Sequence, residues 1–119
     1  MKPSKTLRAV NQLDCLSDRD RDLLIRARCV AIEWARSHGD HVHAGVVSRI
    51  AKGFHSIEVP KQGQIFKGLK TVFEKTDATT TNNYGKSKGH LVRIWKIKNW
   101  NAANEYLREA NLELPMINL

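Results

Sequence analysis

The stretch GKSKG, Gly85 to Gly89, places Lys86 and Lys88 around Ser87 between two glycines. A second pair, Lys67 and Lys70, is spaced one helical turn apart, with Gln64 and Thr71 sharing the face. Ammonium groups arranged in this way neutralise phosphate oxygens, and the amide and hydroxyl offer hydrogen bonds to phosphates or base edges. Lys61 and Arg93 extend the set on either side. The formal net charge is +8, and residues 61–99 hold nine Lys and Arg against two Asp and Glu, a net +7. Capturing a polyanion by counterion release requires such cations on one connected surface.

Other chemistries lack partners at the right spacing. HGDHVH brings His38, His41 and His43 together, but no separated fourth ligand stands at a zinc-site spacing, and a polar loop that caps the next helix explains the run. Gly85–Ser87 resembles the end of a phosphate-binding P-loop, yet Thr80 stands where that motif needs its first glycine. Cys15 and Cys29 have no neighbouring histidine, and Asp18, Asp20 and Asp22 alternate with arginines in a helix's first turn. These absences predict a binding protein rather than an enzyme, with no metal or cofactor.

The elements that must hold the cations follow from apolar spacing. Ser17 caps a helix from about Asp18 to Ser37, with Leu23, Leu24, Ala27, Val30, Ala31 and Trp34 on one stripe and Gly39 as its stop. Ile25, Cys29 and Ile32 form a second stripe, which needs cover from the chain's own terminus or from the same helix of a second subunit in a homodimer. His43 or Asp40 caps a second helix reaching Lys52, with Val46, Val47, Ile50 and Ala51 inward and Gly53 as terminator. After the irregular FHSIEVP, a third helix is expected from Pro60 to Glu74, with Ile65, Phe66, Leu69, Val72 and Phe73 on its inner face. Thr76 to Tyr84 and His90 to Lys98 then predict two strands joined by the lysine tip, and Asn99 to Ala110 a closing helix.

The chain reads as one domain over residues 1–119, mainly α with a β-hairpin (α+β), carrying an N-terminal arm at 1–16 and a C-terminal helix and tail at 100–119. The tail NLELPMINL suits a path across the first helix's second stripe. The first 16 residues contain no apolar run of signal-peptide length, and no stretch approaches the ~18 apolar residues of a membrane span. With two cysteines at no disulfide or metal spacing, a cytoplasmic setting without membrane contact is expected.

The order of helix, short helix, turn, helix, two-stranded hairpin and closing helix resembles the winged helix-turn-helix class of nucleic-acid-binding domains, carried here by Ala44–Lys52, Pro60–Glu74 and the hairpin tipped by GKSKG. The resemblance implies that helix 60–74 enters the major groove of double-stranded DNA while the wing, residues 84–90, touches the backbone. It implies a transcriptional or replication regulator such as mobile elements encode. The connection Phe54–Val59 is longer than the turn of a simple helix-turn-helix. Two other readings use the same residues: a module docking an acidic protein, and a binder of single-stranded DNA or RNA stacking bases on Tyr84, Trp95 or Trp100.

Overall fold

Ser17 Oγ accepts the Asp20 N–H at 3.1 Å and starts helix α1 (Asp18–Arg36) in a computed structural model that describes residues 17–56, 58–59, 63–82 and 89–113. The described residues form four helices and a three-stranded antiparallel sheet, an α+β arrangement. Among them no helix is long and apolar enough to cross a membrane.

Helix α1 is the core's centre, since both of its apolar stripes are buried. Leu24, Ala27, Val30 and Ala31 lie on one, and Ile25, Cys29 and Ile32 on the other. Helix α4 (Trp100–Glu113) packs along α1 and buries Ala103, Tyr106 and Ala110. Of the two covers this stripe allowed, the chain supplies its own: Ile25, Cys29 and Ile32 are sealed within a single chain and form no exposed seam for a homodimer. Asn99 caps α4 by accepting the Ala102 N–H at 3.1 Å, and Arg36 Nη2 donates to Asn104 Oδ1 at 2.6 Å to tie the two helices together.

Between α1 and the second helix the chain turns through Gly39 and Asp40, both at positive φ, a conformation that glycine adopts freely and aspartate more readily than most residues. The turn delivers a strand that apolar spacing did not reveal, β1 (His41–Val42). Two residues are too short for an alternation signal, and only the buried Val42 marks an inward side. His43 then caps α2 (Ala44–His55), its Nδ1 accepting the Val46 N–H at 3.4 Å. The helix runs past Lys52 and through Gly53, ending at Ser56, whose N–H donates to Ala51 O.

Strands β2 (Phe73–Thr81) and β3 (Leu91–Ile97) form the hairpin, and β1 adds to the other edge of β3, giving the order β1-β3-β2. Asn82 closes the hairpin, donating to His90 O at 2.8 Å while its own carbonyl accepts the Gly89 N–H at 2.7 Å. Gly45, at the start of α2, packs so closely on the Asn82 side chain that a Cβ there would collide with it, which fixes how the hairpin leans on α2. The ladder is interrupted once. Lys75 faces Trp95 and Thr79 faces Arg93, so Thr76–Ala78 stand opposite the single Ile94 as a bulge. The tip residues Tyr84, Lys86, Ser87 and Lys88 lie outside the described residues, as do Lys61, the arm 1–16 and the tail from residue 114.

The largest departure from the sequence reading is the third helix. In place of Pro60–Glu74, α3 spans Gln64–Lys67, a turn follows, and Phe73 and Glu74 already belong to β2. The cause is Arg28, at 0% exposure, whose Nε donates to Ile65 O at 3.0 Å and whose Nη2 donates to Gln64 O at 2.8 Å. A continuing helix would use those carbonyls for the N–H groups of Leu69 and Gly68. The chain instead tightens, with Leu69 N–H bonding Phe66 O at 3.1 Å and Phe73 N–H bonding Leu69 O at 3.0 Å. Gly68 permits the approach, because a Cβ there would lie 2.5 Å from Arg28 Nη2. Ile65, Phe66, Leu69, Val72 and Phe73 are all buried as their spacing implied, although a turn and a strand bury the last three.

Candidate functional site

A cleft of about 290 Å³ opens where α3, the start of α2 and the hairpin meet, lined by Ala44, Gly63, Phe66, Lys67, Lys75, Val92, Arg93 and Trp95. Each element contributes for a local reason. Lys67 is the last residue of α3 and points outward because its neighbour Phe66 is drawn into the core. Phe66 meets Phe73 edge to face at 5.0 Å and lies nearly parallel to Trp95, with centroids 5.2 Å apart and ring planes 14° apart. Trp95 is therefore backed by the core yet only half-buried.

Strand alternation puts Arg93 on the Trp95 side of β3, and antiparallel pairing sets Lys75 directly across from Trp95. The bulge holds Arg93 in place: its Nη1 donates to Thr76 O at 3.0 Å, while Thr76 Oγ1 donates to Ile94 O at 2.6 Å and accepts the Ala78 N–H at 3.1 Å. A guanidinium tied by one N–H keeps a planar fork of further donors. The lining holds three cations and no carboxylate. Among the described residues neither Lys67 nor Lys75 is ion-paired, while Glu74, which the longer helix would have set beside Lys70, lies 3.5 Å from Lys96. Ala44, the first residue of the twelve-residue α2, adds the positive end of a helix dipole to the cleft's rim.

Of the residues nominated from sequence, Lys67 and Arg93 come together in this cleft. Gln64 is exposed on α3, and Lys70 and Thr71 are exposed on the turn that follows, outside the lining. Lys61, Lys86, Ser87 and Lys88 fall outside the described residues. Lys75 is not among the residues nominated from sequence, because β-forming composition starts the strand only at Thr76. Had β2 been started at Phe73, alternation from that buried ring would have put Lys75 on the same face.

The histidines of the HGDHVH run serve the fold. His38 stacks on Trp34 at 3.6 Å and bonds its carbonyl at 2.8 Å, His41 bonds Gly39 O at 2.6 Å, and His43 caps α2. Burial lowers the His43 pKa from its ordinary value, in keeping with a neutral ring nitrogen that accepts an N–H. Burial, with Glu33 nearby, pushes the Cys29 thiol up to about 12, so it packs as an apolar group. Burial also raises the Tyr106 phenol, which sits within the field of Arg28. Among the described residues no three His, Cys, Asp or Glu side chains converge as metal ligands. No family model, no curated protein and no solved structure matches this chain.

Proposed function

We propose that this chain is a small DNA-binding domain of the winged helix-turn-helix type, acting by binding rather than catalysis, as a transcriptional or replication regulator. One observation carries the reading: Lys67 from α3 and Lys75 and Arg93 from the hairpin line a single cleft without a carboxylate. Helix and hairpin thereby present one cationic side, which phosphate neutralisation along a duplex requires. The element order α1, α2, α3 and hairpin supports the winged type, with β1 anchoring the hairpin to the α1–α2 corner.

In this reading Gln64, Lys67, Lys70 and Thr71 face the major groove from the single turn of α3 and the bend after it. Arg93 and Lys75 grip the adjacent backbone, with Lys86, Ser87 and Lys88 extending the wing and Lys61 the approach to α3. Base readout from so short a helix is confined to a few side chains, so phosphate contacts supply most of the affinity.

Fluorescence anisotropy with a mixed-sequence duplex tests this. About four phosphate contacts, from Lys67, Lys70, Lys75 and Arg93, give a slope near −3.6 in log affinity against log salt, or roughly 150-fold weaker binding between 50 and 200 mM salt. Replacing Lys67, Lys75 and Arg93 with glutamine flattens the slope by about 2.7. Duplex affinity that ignores both salt and the triple replacement overturns the proposal and favours an acidic protein partner.

A further inference from the structure

Phosphate contacts alone do not call for a hollow with an aromatic wall. A duplex presents its backbone on the outside and keeps its bases stacked within, so a row of exposed lysines would suffice to bind it. Here the three cations surround apolar surface: Trp95 backed by the parallel Phe66 ring, together with Val92 and Ala44. Partly exposed aromatic surface is unfavourable in water unless something covers it, and a planar, apolar partner covers it best. At about 290 Å³ the cleft sits near the lower end of the ~300–1,000 Å³ typical of small-ligand sites, enough for one unit and not for a stretch of polymer. The occupant must be planar on one side and anionic on the other.

We propose that the cleft is a binding site for one unpaired nucleotide, its base against the Trp95 wall and its phosphate on Lys67, Lys75 and Arg93. This goes beyond duplex binding by specifying the form of nucleic acid at the site: a strand end, a junction or a single-stranded segment, in which a base is free to leave the stack. It shares its cations with the duplex reading but depends in addition on the aromatic wall, which a duplex backbone does not use. Arg93 is suited to the role because the bulge carbonyl of Thr76 already holds one of its donors, so little ordering remains when a phosphate arrives.

The full chain is titrated with thymidine 5′-monophosphate, thymidine and inorganic phosphate, following backbone amides and tryptophan indole N–H signals by NMR, with Trp95→Phe assigning the Trp95 indole. The monophosphate is expected to shift the Trp95 indole and the amides flanking Arg93, while inorganic phosphate leaves the indole unmoved. A labelled oligothymidylate of about ten nucleotides is expected to lose roughly 5- to 150-fold in affinity on Trp95→Ala and to keep most of it on Trp95→Phe. Lys75→Glu, a change on an exposed strand position, supplies the second variant: it lowers monophosphate affinity more than tenfold with an unchanged melting temperature. A monophosphate that moves only what inorganic phosphate moves overturns the nucleotide site, whether or not duplex binding retains its salt slope. A monophosphate that shifts the Trp95 indole in a protein without measurable duplex affinity upholds the site and removes the duplex reading alone.

Discussion

Arg28 and Arg93 each donate guanidinium N–H groups to backbone carbonyls, yet one is sealed inside the protein and the other lines an open cleft. Arg28 bonds Gln64 O and Ile65 O and ends α3, and its charge lies beside the buried Tyr106 hydroxyl. Arg93 spends one donor on the bulge and remains accessible. Both count equally toward the net charge of +8, but only the second adds to a surface a polyanion can reach. Formal charge measures a binding face only after the interior cations are removed from the count, and Arg28 is interior because the chain needs its donors.

The sharpest way to break this contrast is to remove the interior member. Arg28→Met keeps much of the volume but orphans the buried Ile65 carbonyl and the half-buried Gln64 carbonyl, and is expected to destabilise the protein by about 3 kcal/mol, measured by urea unfolding. The amides of residues 64–69 should lose hydrogen-exchange protection before the rest of the core. A variant with wild-type stability would mean that α3 ends for reasons other than Arg28.

Gly68→Ala probes the same junction from the other side. The added Cβ, 2.5 Å from Arg28 Nη2, is expected to cost about 2 kcal/mol as the guanidinium is pushed off its carbonyls. Combined with Arg28→Met, the alanine should cost much less, since the group it strikes is gone. A fully additive double-mutant cycle would show that the two residues do not share a contact.

The surface member should behave in the opposite way. Arg93→Gln gives up a half-exposed hydrogen bond to Thr76 O and is expected to change stability by no more than about 1 kcal/mol. In the duplex assay it should flatten the salt slope by about 0.9. A large loss of stability with an unaltered slope would move Arg93 into the structural class of Arg28.

The same contrast explains what could be read from the sequence. Helix α1, its Ser17 cap and the His43 cap were legible because capping residues and apolar stripes act over neighbouring positions. The hairpin was legible from its β-formers on either side of a glycine-bounded tip. The end of α3 was not, because it is set by a side chain 36 and 37 positions away, and the run from Ile65 to Phe73 buries equally well as helix or as turn and strand. The cleft was half legible. Lys67 and Arg93 stood out as cations, whereas Lys75 and the pairing of Trp95 with Phe66 depend on a strand start and a fold-back that local spacing does not encode. The second stripe of α1 called for a cover, from the chain's own terminus or from a second subunit, and its spacing alone does not say that α4 supplies it.

The smallest effect concerns a residue between the two regions. His43 caps α2 beside Ala44 on the cleft rim, and burial lowers its pKa in the folded state. Protonation would place a charge in a half-buried position and remove the lone pair that accepts the Val46 N–H. Because the folded value lies below the unfolded one of about 6.5, the cap's stabilisation is fully present above about pH 6.5 and is lost as pH falls through the lowered folded value. His43→Asn keeps a capping oxygen and does not titrate. Between about pH 7.5 and pH 5, the wild type is therefore expected to lose about 0.5 kcal/mol more than the asparagine variant, followed by thermal melts at constant ionic strength. Parallel melting of the two proteins across that window would show that the imidazole is not held neutral by its place in α2.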